Sequence, residues 1–465
     1  MSDAEALLWS VEQHPHLTST MGALALLDGV PDPERLRSAV ARLLVAVPRL
    51  RQKVVAPTSM APPEWTADGA FDLDHHLRHV RLPAPGNMAQ LRALAAQVIA
   101  DPFDRSRPLW RMLIVSGLPG KRAAAILVLH HAVADGEGAL QIAAHLIEMA
   151  PDEAPPAPVD LAEVFAEDAR NERTGPLRSP VVSQLRRSAS VAARLFNETA
   201  NAMADPAAAY ERRTRAFERA RALADHVPGT ERHVSPLWQK RSRNRRLELL
   251  NLPLQPALER ARELGGSLND LFVSAVLEGS ISYHRHFDVE LPQMTASMVV
   301  STRTEDQSST TNSFLPLTAV VPSSWDLSPV ERFAAVRDLL TTKKETARQS
   351  PDLGSLAGLA GMLPAPLTTG VALDQVRRID FATSNLRGLP VPVWLAGRSV
   401  TALYPVGPTL GTAFNVTLMS NLDQLHLGCN IDPVAVSDPP LLGRCIGDGF
   451  TALGVASVSR EQVAR

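Results

Sequence analysis

The chain is short of cysteine, of tyrosine and of surplus charge, and each shortage closes off a class of protein. Cys429 and Cys445 are the only cysteines among 465 residues. That pattern offers neither a zinc-type ligand spacing nor a disulfide framework, and it fits a reducing compartment. Aromatic residues make up 5 % of the chain and include three tyrosines. Lys and Arg (47) nearly balance Asp and Glu (49), for a formal charge of −2, whereas a general nucleic-acid binder would carry a basic excess. No uncharged apolar stretch is long enough to span a bilayer. The opening MSDAEALLWSVEQ is acidic where a secretory signal would be basic. The expected setting is cytoplasmic: soluble, or attached to a membrane surface only. No short-period repeat is visible.

What is present suffices for large cores, since 45 % of the residues are hydrophobic. The length suggests two domains and a linker. Residues 1–150 read as one unit. Asp32-Pro33-Glu34 supplies an N-cap with Pro at the first helical position, Leu36, Val40, Leu43, Leu44 and Val47 form a stripe, and Pro48 ends the helix. A strand is expected around residues 73–80 and a helix around 91–100. Residues 151–234 open Pro-rich and continue as Ala-rich, Arg-rich helical sequence, a helical connector. Within it Val181, Leu185, Ala192 and Phe196 share a face. That face fits a linker helix packed on its own protein better than one lying on anionic lipid. Residues 235–465 form the second unit, with strand-like runs SMVVST, LPLTAVV, IDFATSN, VWLAGRSVTALYPV and AFNVTLMSNLDQLHLGCNI. The last turns near residues 421–424. Ser328-Pro-Val-Glu makes a capping box for an interrupting helix. Each unit therefore mixes a sheet with flanking helices, an α/β (α+β) class.

The densest chemical signal is His130-His131-Ala132-Val133-Ala134-Asp135-Gly136. It follows the apolar run 123–129, which reads as a buried strand, and precedes a helical stripe of Leu140, Ala143, Ala144 and Ile147. A His at a strand end has its ring free to face a cavity, a suitable mount for a general base near neutral pH. Asp135 can fold back on the imidazole or on the loop, and Gly136 permits the turn. A second pair, His75-His76, lacks the trailing Asp-Gly and is expected on a solvated strand or loop.

Four further features carry candidates. Pro108-Leu109-Trp110 enters a strand, and Trp110 reads as a core anchor or a substrate contact. Gly265-Gly266-Ser267-Leu268-Asn269-Asp270 opens a helix. There Asp270 has capping-box spacing from Ser267, and Asn269 is free to present its amide to a pocket. Arg303 ends the SMVVST strand and would pair bidentately with a buried carboxylate, Asp135 being the obvious candidate. Lys240, Arg241, Arg243, Arg245 and Arg246 form a basic cluster, expected as a solvated edge rather than a site for a phosphorylated cofactor.

Taken together, these motifs resemble those of the bacterial wax ester synthase/acyl-CoA:diacylglycerol acyltransferase family. The matching pieces are MGALALLDG, VPRLRQKV, FDRSRPLWR, HHAVADG, SPLWQKRS, GGSLNDLF, VVSTRTE, TNSF, ATSNLRGLPVPVWLAGRSV, LYPVGP and FNVTLMS, in the family's order. The H-x-x-x-D-G element alone is shared with chloramphenicol acetyltransferase and peptide-synthetase condensation domains; PLW, ND and SN-x-x-G are more specific. The chain departs from the family at Thr311, Val299, Glu137 and Leu386-Arg387, which bears on substrate choice.

The resemblance implies two chloramphenicol acetyltransferase-like mixed-sheet halves around a central channel. It implies an acyl-CoA-dependent O-acyltransferase that esterifies diacylglycerol, long-chain fatty alcohols or both, with acyl-CoA as co-substrate and neither cofactor nor metal. His131 would be the base in direct attack on the thioester and His130 its support. Asp135 would pair with Arg303, and Asn269 with a backbone N–H near Gly136 would stabilise the oxyanion. Asp270, Trp110, Ser384 and Asn385 join these as substrate-binding or supporting residues. A peripheral membrane or lipid-droplet surface is the implied location. Two other readings stay open: a same-fold enzyme with another alcohol acceptor, and a non-catalytic lipid-binding relative.

Overall fold

The computed structural model describes residues 1–12, 14, 16–56, 63–152, 159–174, 234–301, 314–349, 370, 373–455 and 459–460. In the first unit the elements are α1 (Asp3–Val11), β1 (Thr20–Leu27), α2 (Pro33–Ala46), β2 (Gln52–Val55), β3 (Glu64–Ala67), α3 (Leu73–His76), β4 (Leu77–Arg81), α4 (Met88–Ala100), β5 (Trp110–Ser116), β6 (Ala123–His130), α5 (Gly136–Ala144) and β7 (Ile147–Glu148). The connector contributes α6 (Leu161–Thr174). The second unit holds β8 (Arg246–Pro253), α7 (Leu254–Glu263), α8 (Leu268–Arg285), β9 (Gln293–Ser301), β10 (Phe314–Pro322), α9 (Pro329–Gln349), β11 (Phe381–Arg387), β12 (Trp394–Leu395), β13 (Arg398–Val406), β14 (Phe414–Asn421), β15 (Gln424–Ile431), α10 (Pro439–Ala452) and β16 (Ser459–Arg460).

Helices start where the caps stand. Asp32 accepts from the Arg35 N–H at 2.8 Å, and Pro33 opens α2. Ser267 and Asp270 close a reciprocal capping box on α8, and Ser328 and Glu331 do so on α9. Helix α8 is buried around nearly its whole circumference from Asp270 to Ile281. It crosses α10 so closely that a Cβ on Gly279 would lie 2.5 Å from the Ile446 Cα, and one on Gly449 2.1 Å from the Ala275 carbonyl oxygen. Only glycine allows that approach.

Two mixed sheets of seven strands each result, ordered β4-β5-β6-β1-β13-β12-β7 and β10-β9-β11-β14-β15-β8-β16. The 414–431 hairpin turns where its sequence places the turn, with Asn421 paired to Gln424. The segment 393–406 behaves differently from a single strand of the second sheet. Ala396 and Gly397 adopt positive φ (47° and 77°) and break it into β12 and β13. Both strands then complete the first sheet, where β13 pairs along β1 from Gly22–Val406 to Leu27–Val400. The unit 235–465 thus lends two strands to the unit 1–150. Helix α4 reinforces the joint: Leu91, Ala95 and Ile99 share a core with Ile126, Val128 and Tyr404 of the first sheet and with Leu247 and Leu249 of β8.

The expected strand over 73–80 begins with one helical turn, α3, before β4. That turn swings His76 inward, contrary to the solvated position expected of it. His76 is 1 % exposed, its Nδ1–H donates to the Trp110 carbonyl at 2.8 Å, and its ring stacks between Phe71 and Trp110. Burial pushes its pKa down to about 4. Of the connector, α6 packs beside β3, with Phe165 against Phe71 and Asp168 paired to Arg51. The stripe at Val181, Leu185, Ala192 and Phe196 lies outside the described residues, and so does Arg303.

Candidate active site

Strand alternation decides which histidine faces which way. Along β6, Leu127, Leu129 and His131 line a cavity, whereas Ala124, Ile126 and Val128 point into the core under α4. His130 falls on the core side. It is 1 % exposed, its Nε2 contacts the Glu12 carboxylate, and its Nδ1 accepts from the Ala132 N–H at 2.9 Å. An Nδ1 that accepts carries no proton, so His130 is the Nε2–H tautomer donating to Glu12. His131 is 9 % exposed and is held through its backbone, with its N–H on the Ser19 carbonyl at 2.9 Å.

The cavity has a volume of about 160 Å³ and is walled by both sheets. Met21, Ala23, Leu127, Leu403 and Pro405 come from the first sheet; Val299, Ser384, Leu386, Thr417 and Met419 come from the second. It shares Ala23, Leu127, Leu140, Ala143 and Leu403 with a further cavity of about 130 Å³. That cavity runs under α5 between Ala25, Met112, Ala125, Leu146, Val393 and Val400 and is lined almost wholly by apolar residues. Leu140, Ala143 and Ala144, expected as a helix face packed on a core, instead form a wall of this space. Ile147 also lines it, from β7 beyond the helix end.

Asp135 is the N-cap of α5, accepting from the Gly138 N–H at 2.8 Å. The positive end of the α5 dipole, at Gly136, therefore opens into the cavity beside His131. Gly136 also answers a close approach, because a Cβ there would lie 2.9 Å from Leu386 Cδ2. Removing the cap, as in Asp135→Ala, should cost about 1 kcal/mol. Asp135→Asn should retain most of it, since Asn also caps. Urea midpoints of the two variants would check this.

The other candidates separate. Ser384 and Asn385 line the cavity. Asn269 stands behind them, accepting from the Asn385 Nδ2 at 3.5 Å, so its amide reaches the cavity wall through Asn385. Asp270 is buried, bonds the Ser267 N–H and hydroxyl, and lies 3.6 Å from Lys344 Nζ; its contacts are those of a cap. Trp110 is a core anchor. Its indole N–H donates to the Leu50 carbonyl at 2.6 Å, and it takes no part in the cavity wall.

The basic cluster expected as a solvated edge is partly internal. Arg245 is 5 % exposed and ties Thr18 to Thr409, at 3.1 and 2.9 Å, beside the cavity loops. Arg241 bonds the Gly411 carbonyl at 2.6 Å. Sequence reasoning missed Glu12, whose position at the end of α1 gives no motif signal. Among the described residues no group of three or more His, Cys, Asp or Glu is placed to hold a metal ion, and no helix is long and apolar enough to cross a membrane.

Two mixed sheets around a cavity with a histidine at its wall, the first sheet completed by strands of the second unit, define the chloramphenicol acetyltransferase-like fold of acyltransferases and condensation domains. Among solved structures, the wax ester synthase/diacylglycerol acyltransferase of Marinobacter aquaeolei VT8 superimposes with a TM-score of 0.62 at 20 % identity, covering 97 % of each chain. The starter condensation domain of rhizomide synthetase does so with a TM-score of 0.60 at 14 % identity, covering 97 % of this chain and 94 % of that one. The sequence profile of the wax ester synthase/diacylglycerol acyltransferase catalytic domain matches residues 1–272, and that of the family's C-terminal domain matches residues 312–454. The chain belongs to this acyltransferase family. A diacylglycerol O-acyltransferase homologue of Mycobacterium tuberculosis is 30 % identical over 470 residues, covering 95 % of this chain and 94 % of its own. The O-acyltransferase WSD of Acinetobacter baylyi is 27 % identical over 369 residues, covering 78 % and 77 %.

Proposed function

We propose that the protein transfers a long acyl chain from acyl-CoA to the hydroxyl of diacylglycerol or of a long-chain alcohol, with His131 as general base. The observation that carries this reading is the position of His131 on the wall of a cavity that shares five lining residues with a second, apolar one. A reacting group and a place for a hydrocarbon chain thereby lie side by side. The acceptor O–H gives its proton to the imidazole as its oxygen attacks the thioester carbonyl. The C–S bond of the tetrahedral intermediate then breaks, and the imidazolium protonates the departing CoA thiolate. Ester and free CoA leave, the imidazole is restored, and no acyl-enzyme is needed. The Gly136 N–H, at a residue lining the same cavity, would serve the oxyanion, with Asn385, bonded to Asn269, in support. Loss of one such donor typically costs about 10²–10³ in rate. Substrates of this kind place the protein at a membrane or lipid-droplet surface.

The test is CoA release from palmitoyl-CoA with diacylglycerol, with hexadecanol, and with no acceptor. Acceptor-dependent release supports the reading, and the better acceptor names the product. Binding of acyl-CoA without any release would overturn it in favour of a lipid-binding role. The chain's place is tested by filling the second cavity. Ala25 stands opposite Ala125 on neighbouring strands, both on its wall. Ala25→Phe should lower kcat/KM for palmitoyl-CoA by about tenfold or more, while octanoyl-CoA is spared, since chain burial contributes about 0.8 kcal/mol per CH₂. Sensitivity to the alcohol's length instead would assign the cavity to the acceptor.

A further inference from the structure

We propose that Glu12 is a positioning residue for His131, acting through both peptide planes that flank it; this rests on His131 being the working residue. The plane before His131 is held by its N–H on the Ser19 carbonyl, at 2.9 Å. Ser19 is held in turn by its own N–H on Glu12 Oε1, at 3.0 Å. The plane after His131 is held by the Ala132 N–H on His130 Nδ1, at 2.9 Å. The His130 ring is held by Glu12 Oε2 at its Nε2. Each carboxylate oxygen of Glu12 thus governs one side of the His131 backbone, across a separation of more than a hundred residues in sequence. Glu12 also fixes the tautomer. While a carboxylate faces Nε2, that nitrogen keeps the proton and Nδ1 stays free to accept from Ala132.

Both contacts demand an acceptor, and glutamine has one acceptor oxygen where glutamate has two. Glu12→Gln therefore turns an NH₂ toward either the Ser19 N–H or His130 Nε2. One peptide plane is released, or His130 changes tautomer and Nδ1–H opposes the Ala132 N–H. Misplacement of a reacting group by about 1 Å costs on the order of 100-fold. The expected result is a kcat lower by roughly 10–100-fold with KM for acyl-CoA little changed. His130→Asn keeps an acceptor near the Nδ1 position but cuts the link to Glu12. In a double-mutant cycle, Glu12→Gln should therefore add little to His130→Asn. Nitrogen NMR of labelled histidine should show His130 as the Nε2–H form in the parent, and as the Nδ1–H form in Glu12→Gln where the amide NH₂ faces His130.

A parental kcat in Glu12→Gln, an additive cycle, or an unchanged His130 tautomer with an Nε2 that carries no proton in the parent would each overturn the proposal. Loss of kcat only in proportion to a lowered unfolding midpoint would do the same. His131→Ala is measured alongside. If it stays active the base assignment fails, while the tautomer readout still reports on Glu12 separately.

Discussion

His131→Ala should abolish acceptor-dependent CoA release, lowering kcat by about 10²–10⁴-fold, and should cost the fold less than His130→Ala does. His130→Ala does the reverse in proportion: a smaller loss of turnover and a larger loss of stability. The difference follows from strand parity. His131 continues the row of Leu127 and Leu129 on the cavity wall, so cutting back its ring enlarges a space that is already open. His130 lies on the opposite side between Glu12 and the Ala132 N–H, with Trp9 and Phe103 against its ring. Truncating it leaves a carboxylate and a backbone donor without their partner, at roughly 1–3 kcal/mol for each buried group. CoA release and urea midpoints measured on the same preparations decide the matter. Equal catalytic loss, or the opposite order, would refute the division of roles.

The strand, turn and helix around the paired histidines were legible in the sequence, from the apolar run and the resumed helical period, whereas the choice of His131 as base came only from the family resemblance. Parity along β6 then assigns the two rings to opposite faces. Local pattern could not say what the helical face met. Leu140 and Ala143 repeat like core residues, yet here the opposing surface is a cavity shared by two sheets. Nor could it say which sheet a strand joins. The 393–406 segment reads as one apolar strand, and only the Ala396–Gly397 break and its pairing on β1 reveal the crossover. His76 misled because Asp72 and Asp74 make its surroundings look polar, whereas a single helical turn rotates it under Trp110. Glu12 was invisible for a different reason: its contacts are long-range, and nothing in residues 1–20 marks it as a partner of residue 130.

Acid should unfold the protein between about pH 6 and pH 4, ahead of ordinary carboxylate titration. Three histidines away from the cavity are buried and held at pKa values of about 4, His76, His284 and His426, in each case chiefly by desolvation. His284 accepts from Ser235 Oγ at Nε2 and donates from Nδ1 to the Ser280 carbonyl, both at 2.7 Å, so its neutral form is fully used. His426 lies against Tyr404 and bonds Asn251. A folded pKa below the unfolded value near 6.5 means the unfolded chain binds more protons. The stabilisation is complete above pH 6.5 and is lost as pH falls through 4. Each shift corresponds to about 3 kcal/mol in full, and to about 2 kcal/mol by pH 5.

Asp380 works in the opposite sense. Burial raises its pKa to about 6 despite bonds from the Ser235 and Thr295 N–H groups. A raised carboxylate pKa stabilises at low pH and loses that contribution as pH rises through 6, so on acidification it returns about 1–2 kcal/mol by pH 5. Three histidines against one aspartate leave a net loss of about 4–5 kcal/mol at pH 5, comparable with the whole stability of many domains. His76→Phe keeps the stack between Phe71 and Trp110 but cannot be protonated. It should be less stable than the parent at pH 7.5 by about 1–2 kcal/mol, for the lost bond to the Trp110 carbonyl. It should also lose about 2 kcal/mol less on going to pH 5, so the two stability curves converge or cross. Parallel curves would show that His76 does not carry the acid sensitivity. Loss of activity on acidification that follows near-ultraviolet circular dichroism belongs to these buried rings.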